Sequence, residues 1–280
     1  MKNKSVQIIV LNWNQKQLSL DCIESLKKTS YKKKQIIFVD NASSDGSVGY
    51  IGKKHPDIEI IQAPKNLGYA GGNNFGFRSI KNQADYTIFI NNDTYVDPDF
   101  IEPLILELEN NSNVVQTAPV IFYANQSNKI WYAGGQIFLP FSHIRHRGIR
   151  STNFEKFSFK KKVSYASGCC FCMRTIDFKE LGMFDETYGM YCEDVDLSLR
   201  VSNAKGIIKV IPKSMIWHHI SKSIGGSHSI SKWYKKNTSI LKLLFKHSNP
   251  FFFPLAFVFF MINNLLSLSL VVVSKFLIKK

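Results

Sequence analysis

The sequence predicts an α/β protein built on a mixed, mostly parallel sheet flanked by helices. Three observations predict it. In the first half of the chain, short apolar runs alternate with segments of helical periodicity, and strands separated by helices pair in parallel. Three of those runs stop abruptly at small polar residues, as strands do where an open α/β sheet meets a ligand. From about Val114 the alternation gives way to strand-rich signals, which makes the sheet mixed.

The elements follow in order. Residues 6–11 are an apolar, β-branched strand. Residues 17–28 place Leu18, Cys22, Ile23 and Leu26 at helical spacing. A second strand, 35–39, ends at Asp40-Asn41; 47–54 is a short helix and 58–62 a third strand. Residues 66–74 form a glycine-rich loop, and 71–81 carry on as a helix. The fourth strand, 86–90, stops at Asn91, Asn92 and Asp93. Asp97 and Pro98 supply an N-cap and a proline at the first helical position, opening a helix that runs to about Leu108. Beyond it, 114–123 is a strand, and 130–141 another, broken at Gly134-Gly135. Residues 142–162 are polar and basic, the composition of a mobile loop, and 163–174 are apolar with small residues. Residues 178–181 and 195–202 read as helical, 207–211 as a late strand, and 229–246 as a basic helix.

With 45% hydrophobic and 13% aromatic residues the chain is globular rather than disordered. A net charge of +15 favours phosphates, anionic lipid or nucleic acid. The basic runs at 32–34, 145–147 and 160–162 are scattered over predicted loops. They lack the single aromatic-lined element that nucleic acid needs, so lipid headgroups are the expected partner and nucleic acid is not. Five cysteines without disulfide spacing indicate buried thiols in a reducing compartment. No secretory signal is visible at the N-terminus. Residues 251–274 carry no charge and are flanked by lysines. As a helix they would reach about 36 Å, enough for a bilayer core of about 30 Å. Pro254 and Asn263-Asn264 fit an interfacial helix equally well. A C-terminal hydrophobic, membrane-associated helix is expected in either case.

Strands one, two and four all end in polar residues: Asn12 and Asn14, then Asp40 and Asn41, then Asn91, Asn92 and Asp93. A shared ligand explains three such ends better than stability does. Asp93 offers a hard divalent cation an oxygen ligand. Asp40 suits the N–H of a pyrimidine ring. The glycines of the 66–74 loop let backbone amides approach a bound group, although the loop is neither a dinucleotide fingerprint nor a phosphate loop. Glu193, Asp194 and Asp196 open a helix after a turn rich in aromatics, where a carboxylate can serve as general base. His218 is placed to complete a metal site with Asp93. Each also has a structural explanation: turns at Asp40 and Asn91–Asp93, a helix dipole at Glu193–Asp196, and a packed His218.

With Asp40, the 66–74 loop, Asn91-Asn92-Asp93 and Glu193-Asp194 in this order, the chain resembles the family 2 glycosyltransferases. It is most similar to the rhamnosyltransferase-type branch that builds bacterial surface polysaccharides. Val10-Leu11-Asn12-Trp13-Asn14, Val39-Asp40-Asn41-Ala42-Ser43-Ser44-Asp45-Gly46, Asn66-Leu67-Gly68 and Gly182-Met183-Phe184-Asp185-Glu186 add to the match, which covers roughly residues 5–240. The resemblance implies a GT-A (nucleotide-diphospho-sugar transferase) fold over residues 1–240. Residues 1–110 would bind nucleotide, 111–240 would bind acceptor, and 241–280 would attach to the membrane. It implies a nucleotide-diphosphate sugar donor, a divalent cation (Mg2+ or Mn2+) and a glycan or lipid-linked glycan acceptor. Transfer would invert configuration at the cytoplasmic face of the bacterial cell membrane. Asp194 would be the catalytic base, with Glu193 the second candidate. Asn12, Asp40, Asn41, Asn66, Gly68, Gly72, Asn73, Asn92 and Asp93 would bind the donor, with Asp93 and His218 at the metal. Asn91 departs from the fullest metal motif, Asp-x-Asp, which has a second aspartate there. Two alternatives remain: another nucleotide-sugar or nucleotidyl transferase on this scaffold, and a non-catalytic basic module binding lipid or nucleic acid.

Overall fold

A ten-stranded mixed sheet organises the chain in a computed structural model that describes residues 4–157, 161–220 and 230–278. Its first part is parallel and alternates as expected: β1 (Val6–Asn12), α1 (Lys16–Lys27), β2 (Lys34–Asp40), α2 (Ser47–Lys54), β3 (Glu59–Gln62), α3 (Gly68–Ser79) and β4 (Tyr86–Asn91). The strands lie in the order β4-β1-β2-β3, with Asn12 opposite Asp40 and Leu11 opposite Asn91. The polar strand ends therefore share one sheet edge. Helices cover both faces, so β1 and β4 are buried throughout their apolar runs, which is why they read as unbroken hydrophobic stretches.

The second part is mixed. After β5 (Thr94–Val96) and α4 (Ile101–Asn110) come β6 (Val114–Tyr123), β7 (Gln126–Tyr132), β8 (Gly135–Phe138), β9 (His143–His146) and β10 (Lys161–Lys162). Then follow β11 (Cys170–Arg174), α5 (Thr175–Glu180), α6 (Glu193–Asn203), β12 (Ile207–His218), α7 (Ile230–His247) and α8 (Phe253–Ile278). Strand β11 inserts antiparallel between β4 and β6, and β12 lies parallel to β6 on its far side. The ends of β4 and β12 thus point the same way. Phe89 anchors the core here, with ring centroids of Phe178, Phe171 and Phe184 at 4.6, 5.2 and 5.3 Å. Such pairs add about 0.5–1.5 kcal/mol each beyond area burial. All five cysteines are free and buried, and burial pushes the Cys22 thiol up to about 12. They are packing groups, as their spacing suggested.

Several boundaries differ from the sequence expectation. The segment 130–141 is not one strand: at Gly134 (φ +116°) the chain turns, and β8 leaves the main sheet to pair with β9. The polar stretch 142–162 therefore contains ordered strands rather than a single loop. Only the last part of 163–174 is strand. Asp97 caps a turn, not a helix: its Oδ1 accepts the Asp99 N–H at 2.9 Å, and α4 starts at Ile101. The late strand runs on to His218 through Pro212. Ile211 pairs with Pro119 and Met215 with Val120, leaving Pro212, Lys213 and Ser214 as a bulge. Proline lacks a ladder N–H and is tolerated at such a bulge.

Helix α8 packs through Ala256 and Phe260 against Leu244 of α7, and its Ala256 carbonyl accepts the Ser142 hydroxyl at 2.7 Å. Among the described residues, no helix is long and apolar enough to cross a membrane. The choice that the sequence left open for 251–274, spanning a membrane or lying on it, is therefore not supported on the spanning side by the described residues. Lys160, Ser229, Lys279 and Lys280, which entered the basic-run, helix and flank readings, lie outside the described residues.

Candidate active site

Where β4 and β12 end, a cleft of about 950 Å³ opens between the sheet edge, the β8–β9 hairpin, the start of α6 and the inner faces of α7 and α8. Asp93, His218, Glu193 and Asp194 all line it.

Strand pairing brings Asp93 and His218 together across the sequence. Strand β5 runs antiparallel to the end of β12, which sets Thr94 opposite His218 and lets the His219 N–H donate to the Asp93 carbonyl at 2.8 Å. His218 Nε2 then sits 3.0 Å from Asp93 Oδ1. Both residues are buried, at 8% and 5% exposure. Asp93 Oδ1 makes no aligned hydrogen bond, and His218 Nδ1 has no partner among the described residues. A buried carboxylate oxygen with spare acceptor capacity beside an imidazole suits a divalent cation as far as it goes. Among the described residues, however, no group of three or more His, Cys, Asp or Glu is assembled for a metal. The ring of Trp131 backs this corner, 4.8 Å from His218 and 4.5 Å from His146. Burial pushes His146 down to about 4, so it is neutral at physiological pH.

The other wall is the start of α6. Gly189, Tyr191 and Cys192 all have positive φ (65°, 73° and 68°), a tight entry that aims the first turn into the cleft. Left-handed backbone at a non-glycine residue costs about 1–3 kcal/mol, so something must hold it. Helix α7 does. Ser239 Oγ donates to the Met190 carbonyl at 3.1 Å and Lys242 to the Thr187 carbonyl at 2.5 Å. Lys246 bridges Asp185 at 2.6 Å and Asp196 at 2.8 Å, and His247 Nε2–H donates to Asp196 at 2.7 Å. From within α6, Arg200 Nε adds a bond to Asp196 at 2.9 Å.

Asp194 accepts two backbone N–H groups, from Gly168 at 2.7 Å and from Val195 at 2.8 Å. Burial raises its carboxyl, and those N–H bonds pull the other way by favouring the anion. Glu193 has only its own backbone N–H pulling that way. Burial first, then the charge of Asp194, push it up to about 8. Of the two, the hydrogen bonds favour the charged form of Asp194, and Glu193 is the one pushed toward its neutral form.

The donor candidates cluster at the sheet edge. Asn12, Asp40, Asn41, Asn73 and Asn92 are buried beneath the sheet edge rather than open to the cleft. Asn12 Nδ2 donates to Asp40 Oδ1 at 2.9 Å, and Asp40 Oδ2 accepts the Ser43 N–H at 2.9 Å. Asn92 Nδ2 donates to Asn12 Oδ1 at 3.0 Å. Asn41 Oδ1 accepts the Leu67 N–H at 2.9 Å, Asn66 Oδ1 accepts the Gly68 N–H at 2.9 Å, and Asn73 Nδ2 donates to the Tyr69 carbonyl at 3.0 Å. One network thus welds the strand ends to the start of α3. The glycines also serve packing between elements. The segment is the first turns of α3, and its glycines admit close approach of other protein groups. A Cβ on Gly68 (φ +73°) would lie 2.4 Å from the Gly189 carbonyl oxygen, and one on Gly72 would lie 2.7 Å from Leu11. Gly68 thereby lets α3 touch the turn that leads to Glu193.

Sequence reasoning missed the walls of the cleft: Tyr69, Trp131, Arg145 and His146, and Trp233 and Lys236 of α7. The alternation in β9, with exposed His143 and Arg145 against half-buried Ile144 and His146, was the available signal.

With this geometry in place, comparisons with known proteins add the family. The model described as Glycosyl transferase family 2 matches residues 7–182. The N-acetylglucosaminyl-diphospho-decaprenol L-rhamnosyltransferase of Mycobacterium tuberculosis is 26% identical over 221 residues, 72% of this chain and 72% of its own length. Rhamnosyltransferase WbbL of Escherichia coli K12 is 25% identical over 199 residues, 64% of this chain and 75% of its own. In fold the chain is similar to GalNAc-T7 crystallised with UDP, GalNAc and Mn2+, with a TM-score of 0.69 at 16% identity over 86% of this chain. This chain spans 47% of that protein, and the likeness identifies a GT-A-like fold. The chain belongs to glycosyl transferase family 2 and is a rhamnosyltransferase-like glycosyltransferase.

Proposed function

We propose that the protein transfers a hexosyl or deoxyhexosyl group, with inversion, from a nucleotide-diphosphate sugar to a hydroxyl of a lipid-linked glycan. The observation that carries this is one cleft holding an anchored carboxylate, Asp194, and a carboxylate–imidazole corner, Asp93–His218. Asp194 takes the proton of the acceptor hydroxyl as that oxygen attacks the anomeric carbon. The diphosphate leaves from the opposite face, and attack from behind inverts the centre. Asp93 and His218 would hold a divalent cation, whose charge, when bound, offsets the charge growing on the leaving diphosphate. Two protein ligands are few for such an ion, so the donor's phosphate oxygens would complete the set. On this reading residues 1–110 seat the nucleotide and 111–240 the acceptor. The M. tuberculosis relative's name specifies a diphospho-decaprenol acceptor, which supports a lipid-linked glycan of a surface polysaccharide here.

The enzyme should release nucleoside diphosphate from one member of a nucleotide-sugar panel and lose that activity with a chelator. Release of inorganic diphosphate from a nucleoside triphosphate would replace this reading with nucleotidyl transfer. Unaltered activity in chelator would remove the cation but leave the fold and base in place.

Residues 241–280 are proposed to lie on the cytoplasmic face of the membrane. Leu255, Val258, Met261, Ile262 and Leu265 form an exposed apolar face on α8, and α7, which packs on α8, is rich in lysine. The full chain is expected to float with vesicles containing anionic lipid and to do so less in high salt. Failure to float with any vesicle would sink this placement.

A further inference from the structure

The first turn of α6 turns two carboxyl groups toward the cleft, and the chemistry above uses one. Glu193 is 6% exposed, and its Oε2 has no hydrogen-bond partner among the described residues. Leaving a buried polar atom unpaired is unfavourable, and a bound substrate can relieve it. The base beside it is already anchored by two backbone N–H groups, so it needs no help from Glu193.

Resting on the transferase reading, we propose that Glu193 is a specificity-determining residue for the acceptor. As a neutral acid it donates a hydrogen bond to the hydroxyl next to the one Asp194 deprotonates. The acceptor class is then a sugar that presents two hydroxyls on adjacent ring carbons: one oxygen loses its proton to the carboxylate, the other accepts the proton-bearing edge of the acid. Consecutive residues of one turn, one an acceptor and one a donor, match that arrangement. A site built to bond a hydroxyl discriminates strongly against a substrate lacking it, because its own polar group is left unpaired.

The groups facing Glu193 permit a neutral acid. The charge of Asp194, next to it on the same helix, opposes a second charge. Tyr69 of α3, with Tyr191 and Cys192 of the preceding turn, are all pushed upward by burial and stay uncharged over the range of interest. Lys236 of α7 is the cation on this side, and its charge acts at Cys192.

The test compares wild type, Glu193→Gln and Glu193→Ala, with octyl β-glucoside, octyl β-galactoside and their monodeoxy analogues as acceptors. Measurements run from pH 6.5 to 9.5 with the sugar nucleotide found in the panel. Wild type should lose acceptor affinity, with KM rising roughly tenfold as Glu193 ionises near pH 8, about the size of one hydrogen bond. The amide keeps a donor and cannot ionise, so Glu193→Gln should hold kcat within a few-fold and show a flat KM. Glu193→Ala should raise KM at all pH values and no longer distinguish the monodeoxy analogue. A kcat in Glu193→Gln as low as in Asp194→Asn would overturn the proposal by making Glu193 a base. So would identical pH profiles in wild type and Glu193→Gln. Calorimetric binding of the same glycosides separates the two readings. A pH-dependent Kd confined to wild type, without turnover, would keep the acceptor seat and discard the transferase. No difference in Kd would discard the seat.

Discussion

Asp194→Asn is expected to lower kcat by about 10²–10⁴-fold, the usual contribution of a general base, with donor KM near wild type. The substitution keeps the shape of the side chain and removes its ability to take a proton. Its amide oxygen can still accept one of the N–H groups now supplied by Gly168 and Val195. The other loses its partner, so a stability loss of about 1–3 kcal/mol should accompany the change. Thermal unfolding of the variant therefore belongs beside the kinetics, since a folded, donor-binding, inactive protein is the expected combination. The wild-type profile gives a second reading. A base works ionised, and burial raises Asp194, so kcat should fall on the acid side at a higher pH than an ordinary carboxylate would give. Turnover close to wild type in the variant would exclude Asp194 as the base.

The second large effect is expected at Asp196, two positions along the same helix. Its carboxylate is fully buried and receives Arg200, Lys246 and His247. Burial alone would raise it. The hydrogen bonds of His247 and Lys246, with the charge of Arg200, outweigh burial and hold it at about 2. Asp196→Ala removes the buried anion from Arg200 and His247, leaves Lys246 with Asp185 alone, and should cost about 3–5 kcal/mol, the range for breaking a buried pair. The pH dependence follows from the direction of the shift. The unfolded chain ionises Asp196 near 3.8, and the fold does so at about 2. Its contribution is present above about pH 4 and drains away as the pH falls toward 2. Urea unfolding from pH 2 to 6 should show wild type and variant converging at the acid end and parting above pH 4. Parallel curves would mean that Asp196 is not what ties α7 to the catalytic turn.

How much was legible beforehand varied with burial. Strands β1, β2 and β4 were readable because helices cover both faces, so their residues are apolar without alternation. The shared polar edge followed from the register. Strand β12 was cut short because Pro212, Lys213 and Ser214 look like an ending, and only its pairing with β6 and β5 shows that it resumes. Strand β9 was read as loop because a half-exposed, basic strand carries little hydrophobic signal. The buried asparagines illustrate the deeper limit. Their spacing marked the right edge of the sheet, but whether an amide faces a ligand or its neighbour depends on contacts across dozens of residues. Asp93 and His218 were paired in the sequence reading although nothing local connects them, and the β5–β12 pairing is what brings them together.

The bulge in β12 has a consequence for those two residues. Side chains alternate between the faces of a strand, so inserting an odd number of residues shifts the strand by half a period. Pro212, Lys213 and Ser214 make such an insertion, and His218 lies downstream of it. The bulge works as a phase shifter: with one residue more or fewer, the imidazole would emerge on the opposite face and Asp93 would look at whatever now follows. The length of this insertion is therefore part of the active site, although none of its three residues touches the cleft.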